Sequence, residues 1–248
     1  MKFKMQFKMK FKKTKNEDNR ASVREKNRIL SNNSHFSFRE SYNTIRANLL
    51  VSLPSEGCKV IGVTSALPSE GKSINCLNLA IAFGESGARV LLVDGNFRSP
   101  MVARLFRQKM IPGLADLLID NKEAEALTET EASLINIKNI INPCHPYLSI
   151  IPAGVTKLNP SSFLASEKLH MIFSALKEHY DYIFIDTPAV LAVSDAILLS
   201  KYMDGIVVVA REGETGKKSL IKVINQFEFA GTNILGVILN GVPQRKLL

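Results

Sequence analysis

Six stretches of the chain are apolar almost without interruption: KVIGVTSA at 59–66, ARVLLVDG at 88–95, LSIIPAG at 148–154, YDYIFIDTP at 180–188, DGIVVVAR at 204–211 and NILGVIL at 233–239. Each has the length of a strand, and none alternates polar with apolar residues. Solidly apolar strands are those buried on both faces, which is the habit of parallel sheets. Segments with helical spacing separate them. FRESYNTIRANLLVSL carries Tyr42, Ile45, Leu49 and Val51 near helical intervals, with Pro54 just beyond. NCLNLAIAFGESG, the run Ser166 to His179 and the run Lys217 to Ala230 read as further helices. Strands alternating with helices predict an α/β fold: a doubly wound, mainly parallel sheet with helices on both faces.

The first residues follow another rule. Met1, Phe3, Met5, Phe7, Met9 and Phe11 alternate with lysine at most even positions, so an extended segment would gather the apolar set on one face. Residues 13–35 are polar and read as a linker. The chain therefore divides into a basic N-terminal tail and linker, 1–35, and an α/β domain, 36–248. Seven of the nine net positive charges lie before Glu17, which leaves the globular part nearly balanced and gives no support to a nucleic-acid groove. Two uses of the tail stay open: a solubilising segment, or a weak peripheral membrane contact at about 1 kcal/mol per basic residue near anionic lipid.

With 248 residues the chain is long enough for one full core. No apolar run approaches the ~18–20 residues that span a bilayer, and the start lacks a signal peptide's apolar centre. A cytoplasmic protein is expected. Cys58, Cys76 and Cys144 are far apart and form no CxxC pair, so reduced thiols are expected. The four histidines show no metal-ligand spacing and suit surface or capping roles. No nucleophile elbow or Cys/His pair supports covalent hydrolysis.

Between the first apolar strand and its helix lies SALPSEGKS. Gly71-Lys72-Ser73 alone is weak, since such a tripeptide arises by chance in roughly one chain in ten of this length. The full phosphate-loop pattern also asks for glycine where Ala66 stands. Position strengthens it: a strand-to-helix loop aims backbone N–H groups and the positive end of a helix dipole at one point. The backbone from Ser69 through Glu70, Gly71, Lys72, Ser73 and Ile74 is thus the candidate phosphate cradle. Lys72 would neutralise the β- and γ-phosphates of ATP, and Ser73 would hold Mg2+. Asp94 ends LLVD and Asp186 ends IFID, both at C-terminal strand ends, where ligands of open sheets gather. With Ser73 they make the candidate metal site.

LPSEGKS, LLVDGNFRSP and DYIFIDTPAVLAVSDA resemble the Walker A, A′ and B motifs of bacterial tyrosine kinases of the CpsD/CapB type, within the MinD/ParA-like branch of P-loop ATPases. The likeness runs over about residues 38–241 and includes RESYNTIRANL, GLADLL, IPAGVTKLNPSSFL and GVILNGV. The partitioning members of that branch carry a signature lysine where Leu67 stands, which disfavours that subgroup. The resemblance implies an ATP-dependent protein tyrosine kinase regulating capsular or exopolysaccharide synthesis. It further implies protein substrates, ring assembly of like subunits, and a transmembrane co-polymerase adaptor recruiting the chain to the inner face of the membrane. It makes Lys72, Asp94, Asp186 and Arg98 the catalytic set and puts Asn240 close to the adenine.

The sequence departs from that pattern at four places. The A′ motif normally reads Asp-x-Asp, and here it is Asp94-Gly95-Asn96; an amide brings no charge to magnesium. The family's C-terminal tyrosine cluster has no counterpart, since the last tyrosine is Tyr202. Its Glu-x-x-Arg-x-x-Arg assembly pattern falls on Glu40, Asn43 and Arg46, without the middle arginine, and Ser69 replaces a frequent loop glycine. The alternative expectation is therefore a catalytically weak ATP-binding regulatory subunit of the same export machinery. Tyr42, Tyr180 and Tyr182 read as packing residues rather than acceptors.

Overall fold

A computed structural model of the chain describes residues 6–10, 28–119 and 137–242. One eight-stranded sheet organises it. The strands are β1 (Gln6–Lys10), β2 (Lys59–Ser65), β3 (Val90–Asp94), β4 (Asn142–His145), β5 (Leu148–Ile151), β6 (Tyr182–Asp186), β7 (Gly205–Arg211) and β8 (Ile234–Val242). Their order across the sheet is β1-β8-β7-β2-β6-β3-β5-β4. All neighbours run parallel except β4 and β5. The helices are α1 (Phe36–Ser52), α2 (Lys72–Gly84), α3 (Val102–Phe106), α4 (Leu114–Ile119), α5 (Ser161–Leu164), α6 (Glu167–Lys177), α7 (Asp195–Ser200) and α8 (Lys217–Phe229).

The solid apolar runs sort themselves by alternation. Ile61, Val63, Leu92, Phe184, Val207 and Val209 join Tyr42, Ile45 and Leu49 of α1 and Leu77, Leu79 and Phe83 of α2 in one buried cluster. Val60, Leu91, Val93, Ile183 and Ile185, their chain neighbours, meet Leu169, Ile172, Phe173 and Leu176 of α6 in a second. Ile206 and Val208 meet Val223 and Phe227 of α8 in a third. Each of β2, β3, β5, β6, β7 and β8 thus feeds two cores, one per face, and the doubly wound fold expected from the pattern is the fold observed.

Several details differ from the pattern reading. Val51 is 81% exposed, so the buried stripe of α1 ends at Leu49. α2 begins at Lys72, directly after the phosphate loop, rather than three residues later. Residues 28–35 lie on the domain rather than apart from it: Leu30 is buried in the first core, and His35 accepts a hydrogen bond from the Ser37 N–H at the start of α1. The strand β1 pairs with β8 at the sheet edge. All three cysteines are free thiols. Among the described residues no helix is long and apolar enough to cross a membrane.

Candidate functional site

β2 lies between β6 and β7, yet the chain passes from β2 through α2 to β3, beyond β6. That crossing leaves a crevice at the carboxyl edge of the strands, and the loop 66–71 fills its rim. Two residues there take left-handed backbone, Ser69 at φ 67° and Gly71 at φ 93°. Such turns make successive N–H groups converge, and glycine reaches them without strain. A Cβ on Gly71 would meet the Asn240 side-chain nitrogen at 2.1 Å.

Side chains from β7, the turn after it, β8 and α2 brace the loop. Glu70 is 2% exposed, and its carboxylate turns inward, accepting from the Leu67 N–H at 2.9 Å and from the Thr215 hydroxyl. Arg211 Nη1 donates to the Ser69 carbonyl at 3.0 Å. Asn240 Nδ2 donates to the Glu70 carbonyl at 2.9 Å, and Asn75 Nδ2 to the Gly71 carbonyl at 2.8 Å. With these carbonyls held from behind, the loop is shaped before any ligand arrives. Glu70 is thus a brace by its side chain. Asn240, expected near adenine, has its amide nitrogen on the loop backbone.

Lys72 Nζ and Ser73 Oγ stand 3.4 Å apart at the start of α2. Asp94 and Asp186 end β3 and β6 as register partners, and both are fully buried. Asp94 is held by three backbone donors: the N–H groups of Asn96 at 3.1 Å and of Met101 and Val102 at 2.9 Å each. Even so, burial first and the Asp186 charge second push its pKa up to about 7. Neither Asp186 oxygen has a partner of good hydrogen-bond geometry, although the Ser73 hydroxyl lies near enough to favour its charge. Burial raises its pKa too, against the pull of Lys72 and the Ser73 hydroxyl. A fully buried carboxylate with unpartnered oxygens, facing a lysine and a hydroxyl, fits a divalent cation. Asp186 and Ser73 are the residues that would hold it.

Other expected residues have other partners. Arg98 pairs with Asp195 at the head of α7, Nε to Oδ2 at 2.8 Å and Nη2 to Oδ1 at 3.0 Å, and Nη2 also donates to Asn159 Oδ1 at 3.0 Å. Asn96 closes its own turn: Nδ2 donates to the Ser99 carbonyl at 2.9 Å while Oδ1 accepts from the Ser99 N–H at 3.3 Å. On α1, Asn43 donates to Glu40 at 3.5 Å and Arg46 reaches the Ala82 carbonyl of α2 at 3.3 Å. Tyr42 is fully buried, in line with packing. Pattern reading missed Asn75, Thr215, Arg211 and Asp195. Asn75 alone of these left a signal, as one of two amides, with Asn78, inside a largely apolar helix.

A braced strand-to-helix loop, a lysine and hydroxyl at the helix start, and two strand-end carboxylates define a P-loop nucleotide-binding domain. The AAA domain family matches residues 58–235. Tyrosine-protein kinase YwqD of Bacillus subtilis is 31% identical over 223 residues, 90% of this chain and 89% of its own length. Tyrosine-protein kinase ptk of Acinetobacter johnsonii is 32% identical over 206 residues, 83% of this chain, which spans only 26% of that longer protein. The kinase domain of Escherichia coli tyrosine kinase ETK superposes with a TM-score of 0.75 at 28% identity, covering 84% of this chain and 77% of that one. The chain belongs to the bacterial tyrosine-kinase family of P-loop proteins.

Proposed function

We propose that this chain is an ATP-dependent protein tyrosine kinase that regulates capsular or exopolysaccharide synthesis together with a transmembrane adaptor. The observation that carries the reading is Asp186, whose buried, unpartnered oxygens lie beside Lys72 and Ser73 under a braced phosphate loop. The N–H groups of Ser69 to Ile74 would cradle the phosphates, and Lys72 would neutralise charge on the β and γ positions. Ser73 and Asp186 would hold magnesium, which would supply neutralisation of the charge on the β- and γ-phosphates. Asp94, with a pKa near neutrality, suits orientation and proton acceptance at the attacking tyrosine hydroxyl. The adaptor would bring the chain to the inner face of the membrane, where like subunits would assemble into a ring and present tyrosines to one another. The basic N-terminal tail would add weak contact with anionic lipid.

A second reading, an ATP-binding regulatory subunit with little transfer activity, is favoured by Asn96, whose amide sits where the family has a second carboxylate and is engaged with Ser99 on both its atoms. Incubation with ATP, magnesium and the adaptor's cytoplasmic tail, followed by phosphotyrosine detection, separates the two. Signal from the native chain, lost in Lys72→Met, supports the kinase. Signal only in Asn96→Asp supports the regulatory subunit. ATP binding undiminished in Lys72→Met overturns the loop assignment behind both.

A further inference from the structure

α2 is buried on nearly every side, yet it carries two asparagines, Asn75 and Asn78, both wholly inaccessible. Amides are costly in such a place unless they are fully bonded. They are bonded in series. The Leu30 N–H donates to Asn78 Oδ1 at 2.8 Å, and Asn78 Nδ2 donates to the Arg28 carbonyl at 2.7 Å and to the Tyr42 hydroxyl at 2.8 Å. The Tyr42 hydroxyl donates to Asn75 Oδ1 at 3.2 Å, and Asn75 Nδ2 donates to the Gly71 carbonyl at 2.8 Å.

Both ends fix the direction. The N–H of Leu30 and the carbonyl of Arg28 leave Asn78 one orientation, with nitrogen toward Tyr42. The Gly71 carbonyl demands the nitrogen of Asn75, so its oxygen faces Tyr42 and the phenol must donate. Burial keeps that phenol protonated. Every bond from Asn78 to Gly71 therefore points the same way, an arrangement in which each polarises the next. The Gly71 carbonyl shares one planar peptide with the Lys72 N–H, so holding the first aims the second.

We propose that Tyr42 is a positioning residue that couples the phosphate loop to the segment Arg28–Leu30, so that nucleotide on the loop and docking of that segment reinforce each other. The coupling rests on the reading of the loop as a nucleotide site. It extends that site's influence to a stretch of chain that precedes the domain's first helix.

The test is hydrogen exchange at the Leu30 amide in the full chain, with and without β,γ-imido ATP and magnesium, alongside calorimetric titration of the same analogue. In the native chain the analogue is expected to slow exchange at Leu30 about fivefold, the low end of ordinary coupling. In Tyr42→Phe it still binds, but the slowing at Leu30 disappears. Asn75→Ser, which breaks the same chain one link nearer the loop and also releases the Gly71 carbonyl, is expected to bind the analogue more weakly and, at saturating analogue, to lose the slowing at Leu30 as well. Ile45→Val, a packing change on the same buried face of α1, is expected to keep the effect. Full nucleotide-dependent slowing in both Tyr42→Phe and Asn75→Ser overturns the coupling, as does a native chain that binds the analogue without any change at Leu30. A native chain that does not bind the analogue overturns the nucleotide reading itself, and calorimetry shows that outcome separately.

Discussion

Asp94 and Asp186 are register partners at the ends of adjacent parallel strands, two buried carboxylates side by side at the edge of the sheet. They are not equivalent. Asp94 receives three backbone N–H groups, whereas Asp186 receives none. The fold therefore satisfies one acid internally and leaves the other directed at whatever charge enters the crevice.

This pair sets a pH dependence. Asp94 moves from an ordinary 3.8 to about 7, and Asp186 also moves up. Between those limits the folded chain holds protons that the unfolded chain has released. The stabilisation is full below about pH 4 and is lost as pH rises through 7. Asp186→Asn removes the like charge, so its melting temperature should fall less than the native value between pH 5.5 and 8. The expected difference is about 2 kcal/mol, or roughly 5 °C in a chain of this size. The same variant should lose magnesium-dependent ATP binding. Parallel pH curves for the two proteins would remove the argument for mutual repulsion.

Asn96→Asp adds a third carboxylate beside this pair and removes the donor that Asn96 gives to the Ser99 carbonyl. Without magnesium the variant should be less stable by about 1–2 kcal/mol at pH 8. With magnesium and ATP the deficit should shrink, because the added charge then faces a cation. Thermal shifts with and without magnesium check both halves, and an equal deficit in both conditions contradicts the placement of Asn96 at the metal side of the crevice.

What the sequence disclosed follows from what is local. The long strands were legible because both neighbours of each inward residue are also apolar, and Asp94 and Asp186 were legible because each closes such a run. β4 was not, since its NPCH contains a proline and none of its residues is fully buried. The helices α3, α4, α5 and α7 have four to six residues each, too few to display a helical period. The braces on the phosphate loop were hidden for another reason: Thr215 and Arg211 reach it across more than 140 residues of chain. Nothing in a linear pattern reports such a contact.

Gly71 tests whether the bracing matters. Its φ of 93° and the Asn240 nitrogen 2.1 Å from where a Cβ would stand leave no room for a side chain unless Asn240 releases the Glu70 carbonyl. Gly71→Ala should cost about 1–2 kcal/mol in stability and weaken ATP binding at least about tenfold, because the backbone donors lose their aim. Denaturant melts and calorimetry measure the two effects. Unchanged affinity would mean that the loop's shape forms on the ligand rather than before it.

Arg98 and Asp195 form a bidentate pair in which the acid is fully buried and the arginine side chain is 39% exposed. The same guanidinium holds Asn159, so it ties the loop after β3 to the segment before α5 and to the start of α7. Such a residue anchors three pieces of chain around the crevice, a role different from the direct catalytic one expected of it by resemblance. Arg98→Ala strands the buried Asp195 charge and should cost about 2 kcal/mol, reduced from a fully enclosed pair by the exposure of the arginine. Asp195→Asn should cost about 1 kcal/mol, and the double variant less than the two together. ATP affinity should change by less than about threefold in each, since no loop donor is touched. If Arg98→Ala instead proves as stable as the native chain while phosphotyrosine formation is lost, the guanidinium acts on the transferring group and the anchoring account is wrong.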